Sequence, residues 1–385
     1  MKVYFINHEH EENVHEILDS SMIFIFSKIS DATEVHMSHG MIRCLAPLLY
    51  GLGAENIVSY PTYLYPHKGR IRELIAAFHD IKLLFASERN SLVYFSSINI
   101  FSIHLLNVLA PLFEDKKIIF NCHSDMELLA KVPTGGHFNI FPRIIRHFFF
   151  KAKISGNVYF FVLGDSILKN ICGILPVRQC KNFFSCIHPY YSVRQGHMSD
   201  VDISHNYVIA IGIVGSVSKN KGFDNIKNFA RAVKQSGRQV EIYFMSRVED
   251  ASDIDSIEGI INLNPDNQFI PRAEYDKLVG KMDFIYFPYQ ADGYGLTASG
   301  AVFEAIINRK PIMAFHNNYF DYLFGRFGPM GILYSSYDEM VTRVNTLTHK
   351  EITTFKENAE MAAEAIHPAN LYGEFRSVLE RMKII

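Results

Sequence analysis

Short apolar runs recur along this chain, each followed by a stretch with helical periodicity: residues 3–6, 57–60, 92–95, 117–121 and 159–163, then 208–214, 240–245, 284–287 and 311–315. Strands that alternate with helices pair in parallel through βαβ crossovers, so the expected class is α/β with doubly wound, Rossmann-like sheets. At 385 residues the chain is longer than one core usually serves. We therefore expect two units, a first domain over 1–190 and a second over 207–365. Residues 191–206 form the connection, within a stretch from Cys186 to Asn206 that has no strong periodicity. After the break at His367-Pro368, residues 366–385 read as a terminal helix that crosses back to the first domain. Two such units make a two-lobed protein with a cleft, and ligands in these sheets lie outside the carboxyl ends of the strands.

Composition removes several alternatives. With 48% hydrophobic and 20% charged residues the chain is no disordered segment. A net charge of −2 argues against a general polyanion binder, so no nucleic-acid partner is expected. Five cysteines, with no C-x-x-C pair, argue against a disulfide framework or a zinc ribbon and favour a cytoplasmic home. The apolar start is cut short by Asn7-His8-Glu9-His10, too early for a signal-peptide core. No apolar run approaches the ~20 residues that span a bilayer.

Two strand-to-helix junctions carry chemistry. After residues 283–287, Pro288 ends a strand and Thr297-Ala298-Ser299-Gly300 opens a helix. Free amides and the positive end of the helix dipole suit a phosphate there. Glu304, one turn on, is placed to accept hydrogen bonds from a ribose. At the second junction Gly215-Ser216 follows a strand, and Lys219 and Lys221-Gly222 follow in turn. Lysines beside loop amides would offset the charge of a leaving diphosphate. In the first half, the run from Ile118 to Glu127 is a strand whose carboxyl end presents His123, Asp125 and Glu127. All three are candidates for proton transfer or ligand contact at that strand end.

The second half resembles the donor-binding domain of bacterial GT-B fold glycosyltransferases, the group 1-like enzymes of surface polysaccharide biosynthesis. The likeness rests on Gly215 with Lys221-Gly222, and on Pro288-Tyr289, Tyr294, Leu296, Ser299-Gly300, Glu304-Ala305 and Lys310-Pro311. It spans residues 207–340 and is looser before them. It implies two Rossmann-like domains facing across a cleft, a lysine on the donor diphosphate, Glu304 on the ribose, and a histidine at the place of His123. Relatives often carry an arginine where this chain has Ser216, so Lys219 or Arg247 must help neutralise the diphosphate. Retaining relatives show E-x7-E, and Leu296 stands where the first glutamate would be.

Three further clusters have the residue types of a site. The run from Asn7 to Glu12, with His15, has the ligand types of a metal site but not H-E-x-x-H, and reads as a shaped loop after the first strand. Asp253-Ile254-Asp255 lies in a charged loop and reads as solvated. Residues 139–153 interleave basic and aromatic side chains, which suits either a core helix or contact with an anionic membrane surface.

The expected protein is thus a hexosyltransferase-type enzyme that moves a sugar from a nucleoside diphosphate sugar to a saccharide or lipid-linked saccharide. It needs no cofactor or metal, retains configuration, and works in the cytoplasm or at the inner face of the membrane. A nucleotide-sugar epimerase of the same fold and a catalytically silent binding module remain the alternatives.

Overall fold

The computed structural model describes residues 1–8, 10, 15–62, 69–130, 140–192, 208–249, 253–290 and 293–385. It divides into two compact units. One holds Met1–Val193, Leu296–Ala298 and Ile366–Ile385, the other Arg194–Gly295 and Ser299–Ala365. Most of the expected connection, residues 193–206, lies outside the described residues, as do Glu9 and residues 11–12 of the histidine-rich run.

The first unit is built on seven strands: β1 (Lys2–Asn7), β2 (Ala32–Met37), β3 (Ile57–Pro61), β4 (Leu92–Phe95), β5 (Lys117–Asn121), β6 (Val158–Val162) and β7 (Phe183–Ser185). Their order is β3-β2-β1-β4-β5-β6-β7, and every neighbouring pair is parallel. β4 (LVYF) and β6 (VYFFV) are buried at every position, as strands covered on both faces must be. Two of these strands escaped the sequence reading. β2 alternates buried and half-buried residues, with Glu34 and His36 on the half-buried side, so it lacks an apolar run. β7 has only three residues.

Right-handed crossovers place the helices that follow β3, β4 and β5 on the face opposite those that follow β1 and β2. On the latter face the helix Pro368–Arg381 packs against Glu16–Ile29. Its Phe375 inserts edge-on between Phe26 (5.6 Å) and Phe161 (5.3 Å). On the former, buried Asp80 of the helix Arg70–Ala86 holds His8 Nδ1 at 2.7 Å and accepts the hydroxyl of Ser102 from the helix Ile100–Leu109. One paired carboxylate thereby ties two helices to the end of β1.

The second unit has a six-stranded parallel sheet made of β8 (Ile209–Ile213), β10 (Val240–Phe244), β12 (Ile260–Asn262), β13 (Phe284–Phe287), β14 (Ile312–Phe315) and β15 (Gly331–Tyr334), in the order β12-β10-β8-β13-β14-β15. A short parallel ladder joins β9 (Ser216–Val217) to β11 (Arg247–Val248). Gly212 is required inside β8, because a Cβ there would stand 2.7 Å from both Met245 and Met282. β12 and β15 are further strands that the apolar runs did not mark.

In each sheet the order of strands reverses once, between β1 and β4 in the first and between β8 and β13 in the second. Such a reversal opens a crevice at the carboxyl ends of the two strands, and that is where open α/β sheets bind ligands.

Candidate active site

The reversal in the second unit falls between the two junctions that the sequence singles out. β8 leads into Val214-Gly215, and β13 leads into Pro288 and on to the helix Gly300–Ile307. Gly215 adopts φ +91°, and a Cβ on it would lie 3.1 Å from Ala301 Cβ, so the glycine loop packs on the first turn of that helix. Gly222 seats the loop from its other end: at φ +87° its Cβ position is 1.7 Å from the carbonyl oxygen of Pro288. Asn225 Nδ2 donates to the same carbonyl at 2.9 Å. Only glycine satisfies both the backbone angle and the close approach.

Ser299 is the N-cap of the Gly300 helix, but its hydroxyl does not cap the helix; it pairs with the Tyr289 hydroxyl at 2.7 Å. The Val302 N–H turns back to the Ser299 carbonyl at 3.2 Å, and the helix start keeps the positive end of its dipole. Gly300 is exposed, and a Cβ on it would meet nothing within 4 Å, so the space before it is open. Tyr294, at φ +55°, stacks on Tyr289 with centroids 3.9 Å apart. Thr297 is buried beside the cap.

The charged groups arrive in pairs. Glu304 is nearly buried, and Arg272 holds it at both oxygens, 2.6 and 2.9 Å away. Lys221 Nζ donates to Ser216 Oγ (2.7 Å) and to Glu249 Oε1 (2.8 Å). Partial burial pushes the Glu249 carboxyl up, but hydrogen bonds from Lys221 and Ser216 and the charges of Lys221 and Arg247 outweigh it and hold it below the usual range. Arg247 is exposed, sits opposite Ser216 in the short ladder, and donates its backbone N–H to Gly215. Lys219 is exposed on the same loop. Lys310, by contrast, serves the fold: it is buried, donates to Gly280 O at 2.8 Å, and is pushed down to about 8 by burial.

The reversal in the first unit gathers histidines. His123, just past β5, has Nε2 at 2.7 Å from the Ser96 carbonyl. Asn121 Nδ2 stands 3.1 Å from the same nitrogen, so Nε2 is shared between a carbonyl that accepts and an amide that donates. The ring lies 4.4 Å from His15, which lies 4.8 Å from His10. Loss of hydration, followed by the His15 charge, holds His123 well below its ordinary value. Burial likewise takes His10 down to about 3 and His188 to about 4. These imidazoles are therefore neutral at neutral pH. Nearby, Asn7 Nδ2 donates to Asp19 Oδ2 at 2.6 Å, and burial pushes Asp19 up to about 8. Asp125 is raised by burial and then by the neighbouring charge of Glu73. Glu127 accepts the backbone N–H of Leu296 at 2.8 Å, within the same unit.

The sequence matches no protein-family model and no curated protein sequence. Solved structures do match over the full length. Anabaena HepE in complex with UDP-glucose aligns with a TM-score of 0.64 at 14% identity, covering 99% of this chain and 100% of that one. The trehalose-6-phosphate structure from E. coli bound with UDP-2-fluoro glucose aligns at 0.63 and 10%, covering 100% and 99%. The lipopolysaccharide outer core galactosyltransferase WaaB in its apo form aligns at 0.61 and 12%, covering 99% of each chain. The fold is GT-B. Within the GT-B fold this chain carries its glycine loop and its Gly300 helix start at the reversal of the second sheet, and its histidines at the reversal of the first.

The structure thus brings Gly215, Ser216, Lys221 and Arg247 together on one loop and ladder, with Gly300 beside them through Ala301. It sets Glu304 against Arg272 instead, a residue that the sequence reading missed. An arginine at a helix start, 32 residues from its partner, leaves no local pattern. The histidine cluster around His123 was legible only in part: His10 and His15 belong to the run after the first strand, whereas His123 and His188 come from segments far from it. Asp253 and Asp255 form a surface turn, with the Asp255 N–H donating to Asp253 Oδ1.

Proposed function

We propose that this chain is a glycosyltransferase that takes a nucleoside diphosphate sugar as donor. The observation that carries the reading is the packing of the Gly215 loop on the first turn of the Gly300 helix, at the strand-order reversal of the second sheet. The helix start, Arg247 and Lys219 supply a positive field for the diphosphate, where charge grows as the sugar leaves. Ser216, Tyr294, Thr297 and Ser299 line the turn, and Glu304 accepts the ribose hydroxyls. His123, Asp125 and Glu127 belong to the sugar and acceptor side. We assign a saccharide or lipid-linked saccharide acceptor in polysaccharide biosynthesis, metal-independent transfer with retention, and contact with the inner membrane surface near 139–153. Exposed Arg143, Lys151 and Lys153 support that contact. No helix among the described residues is long and apolar enough to cross a membrane.

A second reading, a binding module without turnover, is favoured by the pairing of Lys221 with Glu249 and of Glu304 with Arg272. Thermal melts with UDP, GDP, ADP or CMP, with and without magnesium, test the donor site. One nucleotide at ~100 times its dissociation constant adds about 2.7 kcal/mol. The expected result is a rise of several degrees with one nucleotide and no need of metal, abolished in Gly300→Trp. No rise with any of them removes the reading. Incubation of the cognate nucleotide sugar then separates transfer, which needs an acceptor, from epimerisation, which does not, and from silent binding.

A further inference from the structure

The first unit exposes an apolar face that its own core does not use. On the helix Arg70–Ala86, Ile71 (61% exposed), Leu74 (39%), Phe78 (62%) and Phe85 (58%) fall on one side at helical spacing. The helix Ile100–Leu109 packs beside it and continues the face with Val108 (74%), then Leu112 (73%) in the turn that follows. Phe85 meets Phe113 edge-on at 4.8 Å, which closes the seam between the two. Contiguous apolar surface of this kind marks a docking site.

The charges around it say what docks. The helix Ile140–Lys151 packs against Ile100–Leu109 through Phe148 and His104 (4.9 Å). It carries exposed Arg143 and Lys151, Lys153 follows, and no acid occurs between 140 and 153. Lys82 is exposed on the Arg70 helix. The acids of that helix are engaged, Glu73 with Arg70 at 2.8 Å and Asp80 with buried His8. Glu114 and Asp115 follow Leu112 at one margin, where Asp115 faces Arg89. A chain of net charge −2 thus carries a cationic layer beside its exposed apolar face. A second copy docked on the same face would bring these like charges together.

We propose that this face docks on an anionic lipid bilayer, with Phe78, Phe85 and Val108 entering the acyl boundary and Lys82, Arg143 and Lys151 meeting lipid phosphates. The inference deepens the membrane contact proposed for 139–153. It moves the apolar insertion to the neighbouring helices, because Ile145, Phe148 and Phe149 are buried in the core.

The test is co-sedimentation of the full chain with vesicles of phosphatidylcholine alone or with an equal part of phosphatidylglycerol. The expected result is salt-sensitive binding to the anionic vesicles. It falls about tenfold or more in a Phe78→Asp, Val108→Asp double variant and about fivefold in Lys82→Glu or Lys151→Glu. These side chains are exposed, so the melting temperature and any nucleotide-induced rise should persist in the variants; loss of docking is then read apart from failure of the donor site. Equal binding to neutral vesicles, partition unchanged in the variants, or a dimer in light scattering that Phe78→Asp dissociates would overturn the proposal.

Discussion

Arg272 holds Glu304 by both carboxylate oxygens, Nη1 to Oε1 at 2.6 Å and Nη2 to Oε2 at 2.9 Å. A planar guanidinium fixes the plane of the carboxylate it grips, and a lysine does not. If Glu304 binds ribose, Arg272 positions it. Arg272→Met and Arg272→Lys are both expected to weaken nucleoside diphosphate binding about tenfold by calorimetry. Full rescue by lysine would show that the charge alone matters.

Lys221 donates to Glu249 at 2.8 Å, so a diphosphate bound at Lys221 would have to displace that carboxylate. Glu249→Gln should release Lys221 and tighten nucleoside diphosphate binding several-fold at low salt, with the gain shrinking as ionic strength rises. Weaker binding in this variant would place the diphosphate away from Lys221.

Gly222 and Gly300 should respond to alanine very unequally. Gly222→Ala incurs about 1–2 kcal/mol for a left-handed backbone and collides with the Pro288 carbonyl. We expect its melting temperature to fall by about 5 °C or more. Gly300→Ala meets open space and should shift it by no more than about 1–2 °C. A calorimetric melt of each variant decides the matter.

Asp19 and the histidines bend the pH profile in opposite senses. A carboxyl raised to about 8 from 3.8 contributes stability that is full below pH 3.8 and is lost as pH rises through 8. Asp19→Asn removes that loss, so its advantage over the parent in urea melts should be small at pH 4 and largest at pH 9. Histidines lowered from 6.5 to about 4 (His188) or 3 (His10) contribute stability that is present above pH 6.5 and is lost as pH falls through those values. His188→Gln should flatten the acid limb. An identical slope between pH 6.5 and 4 in this variant would remove His188 from the account.

The legible parts of the fold were those written as local runs. β4, β5 and β13 stand where the apolar stretches mark them, residue for residue. β2 was hidden because Glu34 and His36, on its half-buried side, break up the apolar run, and β15 because four residues starting at a glycine carry little pattern. The glycine loop and the Gly300 helix start were visible as motifs, since backbone angle and helix capping depend on neighbours in sequence. Their meeting through Gly215 and Ala301 was not, and neither were the Arg272 grip on Glu304 and the ring contact of His15 with His123. Such pairings are made by the sheet, which places distant segments side by side.

Phe375 sets an order of events during synthesis. Phe26 and Phe161 emerge early, yet the ring that seals them belongs to a segment made after the whole of the second unit. At roughly 5–20 residues per second, translation of the stretch from Arg194 to Ala365 takes on the order of ten seconds or more. During that interval the nascent first unit shows a greasy groove to the cell. A chaperone that shields the groove, or slowly translated codons ahead of residue 366, would alter yield without touching any residue of the finished protein.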